Sequence, residues 1–164
     1  MAVLNLSLYA HLHGDLEIKE QLDWHSRMAI ALGGAQGLMY LHHDADFELV
    51  HGNIKLTNVL LGPTFAPKIV NFGLSRLLND SVARAKGAFG YAPPEDTKGE
   101  AFTKESDVFS LGILLELIGG KNPLEKIQKE TDKLSIVEWT QDLVVRGKMD
   151  ELVDSRLHGK QRLT

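Results

Sequence analysis

The chain of 164 residues has no cysteine, which excludes disulfides, thiolate catalysis and cysteine-bound zinc or iron–sulfur centres and suits a reducing compartment. It also lacks a long hydrophobic run. The most apolar stretch, Val108 to Ile118, contains Ser110 and Glu116 and falls short of the roughly 20 residues a membrane span requires. No Lys or Arg precedes the mildly apolar Met1–Ala10, and Asn5 and Ser7 interrupt it, so it is not expected to be a secretory signal. Positive charge is not in excess. A net charge of −4 and a pI near 6.0 argue against a nucleic-acid or anionic-membrane surface, which needs clustered Lys and Arg. Internal repeats and low-complexity tracts are absent. What is present is ordinary globular usage, 43% hydrophobic and 24% charged, enough for one compact unit with a real core.

Along the chain, Asp23 is placed to cap a helix running to about His43, with Trp24, Met28, Ala31, Ala35, Leu38 and Met39 at three- and four-residue steps. Gly33, Gly34 and Gly37 each lower its propensity by about 1 kcal/mol relative to Ala, so the expectation is a closely packed neighbouring helix. Val59–Leu61 and Ile69–Val70, separated by Gly62, Pro63 and Pro67, predict a small hairpin. From Asn71 to Glu95 the periodicity fails, which predicts a long loop, and such loops are often functional. Thr103 can cap a helix whose apolar body, Val108 to Ile118, is stopped by Gly119 and Gly120; being apolar on nearly every side, it should be central. Ser135 and Glu138 form a capping-box pattern for a further helix bearing Ile136, Trp139 and Leu143, with Gly147 past its end.

The chemistry-bearing residues lie in four blocks. His51-Gly52-Asn53-Ile54-Lys55-Leu56-Thr57-Asn58 precedes Asn71-Phe72-Gly73, then Gly87-Ala88-Phe89-Gly90-Tyr91-Ala92-Pro93-Pro94-Glu95, then Ser106-Asp107-Val108-Phe109-Ser110-Leu111-Gly112. Taken in this order they resemble the catalytic loop, metal loop, activation-segment end and central helix of a protein kinase. Leu22-Asp23-Trp24, Tyr40-Leu41-His42 and the turn through Gly119, Lys121 and Pro123 narrow the resemblance to plant receptor-like kinases, expected to be of the leucine-rich-repeat type. The fold implied over residues 1–164 is α+β, mainly α: a kinase C-terminal lobe without the glycine-rich loop and strand Lys of the other lobe, and without the last helices.

The resemblance also implies roles. Lys55 would stand near the transferring phosphoryl group and Asn58 would offer an oxygen to the second magnesium ion of ATP. Asn53 stands at the base position and Asn71 at the metal-carboxylate position, both as neutral amides. An amide cannot accept the substrate proton, help worth about 10²–10⁴ in rate, and it holds magnesium weakly because a hard carboxylate is preferred. Phe72, Gly73, Ala88, Gly90, Pro94 and Glu95 belong to the activation segment; His51, Asp107 and Gly112 are structural positions. Gly52 replaces an Arg that reads activation-loop phosphorylation. Ala88 and Pro93 depart from the family pattern as well.

Other features weigh toward bland roles. His11 with His13 and His42 with His43 are spaced too closely for helical neighbours to converge on one ion. His51 suits a structural hydrogen bond near the metal loop, Trp24 and Trp139 suit the core, and Arg76, Arg84 and Lys86 suit a solvated loop. The expected function is that of a catalytically inactive receptor-kinase-like module binding other signalling proteins or a kinase, with no cofactor of its own although the family uses ATP and magnesium. The alternatives are a fragment of a working Ser/Thr receptor-like kinase and a non-functional truncated product. A cytoplasmic location is implied, with the parent family anchored in the plasma membrane.

Overall fold

The computed structural model describes residues 6–14, 22–46, 49–72, 91, 93, 103–112, 115–123, 127–129 and 132–157. The first short helix, α1 (Leu8–His13), is capped by Ser7, whose Oγ accepts the Ala10 N–H. Helix α2 (Trp24–Met39) begins where Asp23 Oδ1 accepts the Ser26 N–H at 2.8 Å and widens into a π-helical turn over Tyr40–Asp44. Strands β1 (Val59–Leu61) and β2 (Pro67–Ile69) form an antiparallel hairpin where the sequence predicts one, but the second strand begins at Pro67, a residue expected to separate the strands, and ends before Val70; Val59 lies opposite Ile69 and Leu61 opposite Pro67. The chain before α1 joins its edge, since Ser7 bridges to Leu60 and the Leu61 N–H donates to Leu6 O.

Helices α3 (Lys104–Gly112) and α4 (Leu115–Gly119) follow. A second hairpin, β3 (Ile127–Lys129) with β4 (Asp132–Leu134), then leads into α5 (Ile136–Val145). Both halves of the Ser135–Glu138 capping box are made, and Gly147 takes φ +67° just past the helix end. The core gathers Leu8, Leu12, Leu22, Ile30, Leu56, Val59, Leu61 and Leu117, so α1, α2, the hairpin and α4 share one apolar centre. A smaller cluster joins Tyr91 and Ile136, with Trp139 against it.

Two expectations need correction. On α2 the buried residues are Arg27, Ile30, Gly34 and Leu38, while Ala35 and Met39 face outward. The inner stripe is therefore rotated from the one read by hydrophobicity, because a buried ion pair at Arg27 sets it. At Gly33 and Gly37 the close neighbour is also not a helix: a Cβ on Gly33 would lie 2.5 Å from Pro67 Cγ, and one on Gly37 would lie 3.2 Å from Ile69 Cδ1. Strand β2 presses on the helix there. On α3 the buried residues are Ser106 and Asp107, and Val108 is 58% exposed, so the expected all-round apolar burial fails where polar groups are drawn in to hold loops.

Candidate functional site: an amide-lined loop held by a buried carboxylate

The loop from His51 to Asn58 is fixed from below by Asp107, which is 1% exposed. Thr103 starts this part of α3 by accepting the Ser106 N–H on Oγ1, and the Thr103 N–H donates back to Ser106 Oγ. One turn on, Asp107 Oδ2 accepts the His51 N–H at 2.7 Å and Oδ1 accepts the Gly52 N–H at 2.8 Å. The Nε2 of His42, on the π-helical turn, donates to Oδ2 at 2.9 Å. Gly52 takes φ +70°, a conformation that suits glycine and lets two successive amides point at one carboxylate.

His51 clamps the other side. Its Nε2 donates to Val70 O at 3.0 Å, and its Nδ1 accepts the Asn53 N–H at 3.2 Å. An imidazole with one donor and one acceptor nitrogen is neutral, and burial pushes the His51 pKa below its ordinary 6.5 against the opposing pull of Val70 O and Asp107. The side chain thus joins the catalytic-loop segment to the strand end leading into Asn71.

Three amides line the top. Asn58, 5% exposed, donates Nδ2–H to Asn53 O at 2.8 Å, while Asn71 Nδ2 donates to Asn58 Oδ1 at 3.0 Å. The Asn53 side-chain oxygen is buried without a hydrogen-bond partner. Asn71 adopts φ +65°, which Asn tolerates better than most residues. Lys55 is half-buried in the same loop, and Phe72 is half-exposed beyond Asn71. The structure therefore brings together His51, Asn53, Asn58 and Asn71 through hydrogen bonds, with Asp107 beneath them, and Lys55 lies in the same loop. Gly112 stands apart: an added Cβ would meet nothing within 4 Å among the described residues. Gly73, Ala88, Gly90, Pro94 and Glu95 lie outside the described residues, as do Arg76, Arg84 and Lys86.

Residues 5–158 match the protein kinase domain. The chain belongs to that family. It is 40% identical to the proline-rich receptor-like protein kinase PERK15 of Arabidopsis thaliana, over 94% of this chain but 32% of that protein. It is equally identical to a PTI1-like tyrosine-protein kinase of the same plant, over 93% of this chain and 44% of that one. The relatives thus support the receptor-like kinase family, whereas PERK15 is proline-rich in type and does not carry the expected leucine-rich-repeat subtype. Among solved structures, the maize SIRK1 kinase domain bound to AMP-PNP superposes with a TM-score of 0.80 at 28% identity, covering 94% of this chain and 54% of that one. The pseudokinase domain of BIR2 gives 0.78 at 31%, covering 97% and 46%. The kinase fold is thereby shown, for a chain spanning less than half the length of these curated relatives.

Sequence reasoning missed two polar clusters of this kinase-like chain. Glu116 is fully buried and takes His13 Nε2 at 2.7 Å on one oxygen and the Tyr91 hydroxyl at 3.0 Å on the other. Burial first, and the Glu116 charge second, raise the Tyr91 phenol far above its usual range, so it stays a donor. Asp154 lies between two guanidinium groups, with Arg27 Nη1 at 2.9 Å and Arg156 Nη2 at 2.7 Å. A cleft of about 550 Å³ opens beside Asp154, between His13, Gly120, Lys121 and Arg156, and none of the amides of the loop lines it. Leu-Val-Asp-Ser-Arg in the sequence was the available signal for the second cluster, but nothing local points an Asp at a residue 127 positions earlier.

These groups set an acid limit. Burial pushes the Asp154 carboxyl up, yet the hydrogen bonds from Arg156 and Arg27 overcome this and hold it at about 2, below its ordinary 3.8. An acid group with a depressed folded pKa stabilises the fold above its unfolded pKa and loses that contribution as pH falls through the folded one. Asp154 should thus cost stability between roughly pH 4 and 2. His51, also depressed, follows the same sign: the unfolded chain takes up a proton first, so stability falls as pH drops below 6.5. Urea melts at a series of pH values should show two acid-side losses, with the upper one abolished in His51→Gln; a flat profile from pH 7 to 5 in the unmodified chain would remove His51 from this account.

Proposed function

We propose that this chain is a receptor-like kinase module that does not transfer phosphate and acts by binding other signalling proteins, a kinase among them. The observation that carries the reading is Asn53. At the position where kinases of this pattern keep a proton acceptor, it offers a neutral amide whose oxygen is buried without a partner. A carboxamide does not accept the proton of an attacking hydroxyl at neutral pH, so general-base help of about 10²–10⁴ is lost. Asn71 supplies no charge for a metal, and Gly52 supplies no guanidinium to read a phosphorylated segment. Similarity to the pseudokinase domain of BIR2, an immune regulator of the RLK/Pelle family, supports a non-catalytic role. The proposal places the module in the cytoplasm without a cofactor of its own; no helix among the described residues is long and apolar enough to cross a membrane.

The second reading is a segment of a working Ser/Thr receptor-like kinase. Its support is the kinase name of the 40%-identical relative and the AMP-PNP bound to the similar SIRK1 domain. Radiolabelled phosphate transfer from Mg-ATP to a generic substrate and to the chain itself separates the two. The expected signal equals a mock purification, and in the Asn53→Asp/Asn71→Asp double variant as well, because positioning and phosphate-gripping groups act as a unit with the base. Labelling by the unmodified chain above that background would overturn the non-catalytic reading.

A further inference from the structure

Asn71 and Asn58 are written into the sequence as two residues that could both present oxygen to a divalent cation. The hydrogen bonds make them something else, and the direction of each bond is fixed by chemistry. The Asn53 main-chain oxygen can only accept, so the group of Asn58 facing it at 2.8 Å is the NH₂. The Asn58 Oδ1 must then face the other way. What meets it at 3.0 Å is the Asn71 NH₂, since two carbonyl oxygens at that distance would repel. The Asn58 main chain is held too, because its carbonyl accepts the Val70 N–H at 3.0 Å. Neither amide can flip without setting donor against donor or acceptor against acceptor. Magnesium needs oxygen ligands and surrenders its hydration water reluctantly, so an NH₂ aimed at the buried Asn58 Oδ1 does not fit it.

We infer that Asn71 locks this loop shut against divalent cations: the Asn71→Asn58→Asn53 amide chain is a self-satisfied substitute for a metal bridge, and one carboxylate at position 71 would turn it into a cation-dependent one. The inference rests on reading the loop as a kinase-like site, but it concerns the state of the loop rather than phosphate transfer. Asn58 is buried while Asn71 is exposed, so the lock closes from the solvent side. With Asn71→Asp, two acceptors would face each other at the present 3.0 Å, and a cation seated between a carboxylate, the Asn58 Oδ1 and water would relieve them. Asp at this position should fold, since Asp, like Asn, tolerates the left-handed backbone.

The test compares the unmodified chain, Asn71→Asp and Asn71→Gly, the last removing the donor while keeping the φ +65° backbone accessible. Melting is followed with sodium chloride and with MgCl₂ or MnCl₂ at about 10 mM and matched ionic strength, a concentration suited to a weak site with few protein oxygens. Without a divalent cation Asn71→Asp should melt below the unmodified chain. With it, Asn71→Asp should gain about 3–6 °C if the ion reaches ten times its dissociation constant, while the other two proteins should move by less than about 1 °C on the same scale. Manganese should broaden the NMR side-chain amide signal of Asn58 in Asn71→Asp and leave both the Asn58 and Asn71 signals sharp in the unmodified chain. Equal broadening in the unmodified chain, or no cation response in Asn71→Asp, overturns the lock. Either result leaves a null phosphate-transfer assay standing, whereas transfer by the unmodified chain defeats the non-catalytic reading whatever the melts show.

Discussion

Replacing Asp107 with Ala should cost about 3–6 kcal/mol, enough to unfold a domain whose whole stability is on the order of 5–15 kcal/mol. One carboxylate here accepts the His51 and Gly52 N–H groups and His42 Nε2. Its removal strands three donors in a region from which water is excluded, and each stranded donor carries a desolvation penalty of about 1–3 kcal/mol. Asp107→Asn should be milder, about 2 kcal/mol. An amide can still accept from His51 with its oxygen, but its NH₂ would then confront the Gly52 N–H, donor against donor. Urea unfolding with unchanged slope would report both values. Hydrogen exchange should show the Gly52 amide exposed well before global unfolding in the Asn variant. An Ala variant within about 1 kcal/mol of the unmodified chain would mean that the loop stands without Asp107, contrary to the penalty expected for orphaned buried donors.

The second large effect is expected at Arg27, 2% exposed and reaching three acceptors: Leu22 O through Nε, and Leu117 O and Asp154 Oδ2 through Nη1. It ties α2 to α4 and to Asp154, which leads into the turn at Ser155–Leu157. Truncating one partner of a buried pair typically costs 3–5 kcal/mol, because the other charge stays behind. Arg27→Ala should fall in that range, about 3–5 kcal/mol, tempered by Arg156, which keeps its own hold on Asp154. Arg27→Lys should still lose about 2 kcal/mol, since a point-charge ammonium cannot reproduce a fork aimed at acceptors on different elements. A double-mutant cycle with Asp154→Asn should return a coupling of about 1–3 kcal/mol. A coupling near zero would show that Arg27 works through its two carbonyl partners alone.

These two groups mark the boundary of what sequence could reveal. Asp107 was legible as a position, because Ser-Asp-Val-Phe-Ser-Leu-Gly falls in register with the other kinase-like blocks; that its carboxylate holds two amides 55 and 56 residues away was not. Arg27 was passed over on α2 because hydrophobic periodicity gives no weight to a charged residue. The resulting stripe took in Leu38 and Ala31, which pack inward, but also Ala35 and Met39, which the fold leaves outside.

The sequence by itself determined the features that are settled within a few residues. Asp23, Thr103 and Ser135 each cap the helix they precede, because a side-chain oxygen three residues before an orphan N–H reaches it whatever the rest of the chain does. The hairpin at Val59–Leu61 and Pro67–Ile69 follows from its short apolar runs and the turn residues between them. The order of the loop motifs was enough to reach the kinase family, and residue identity alone made Asn53 and Asn71 neutral. Only the tertiary structure decided what depends on distant partners: that β2 rather than a helix presses on Gly33 and Gly37, that Glu116 joins His13 to Tyr91, and that Asn71 turns its NH₂ to Asn58. Each is a choice between alternatives that are equal in local energy, and only packing across the fold makes them unequal, because a buried polar group must find its partner wherever the chain has brought one.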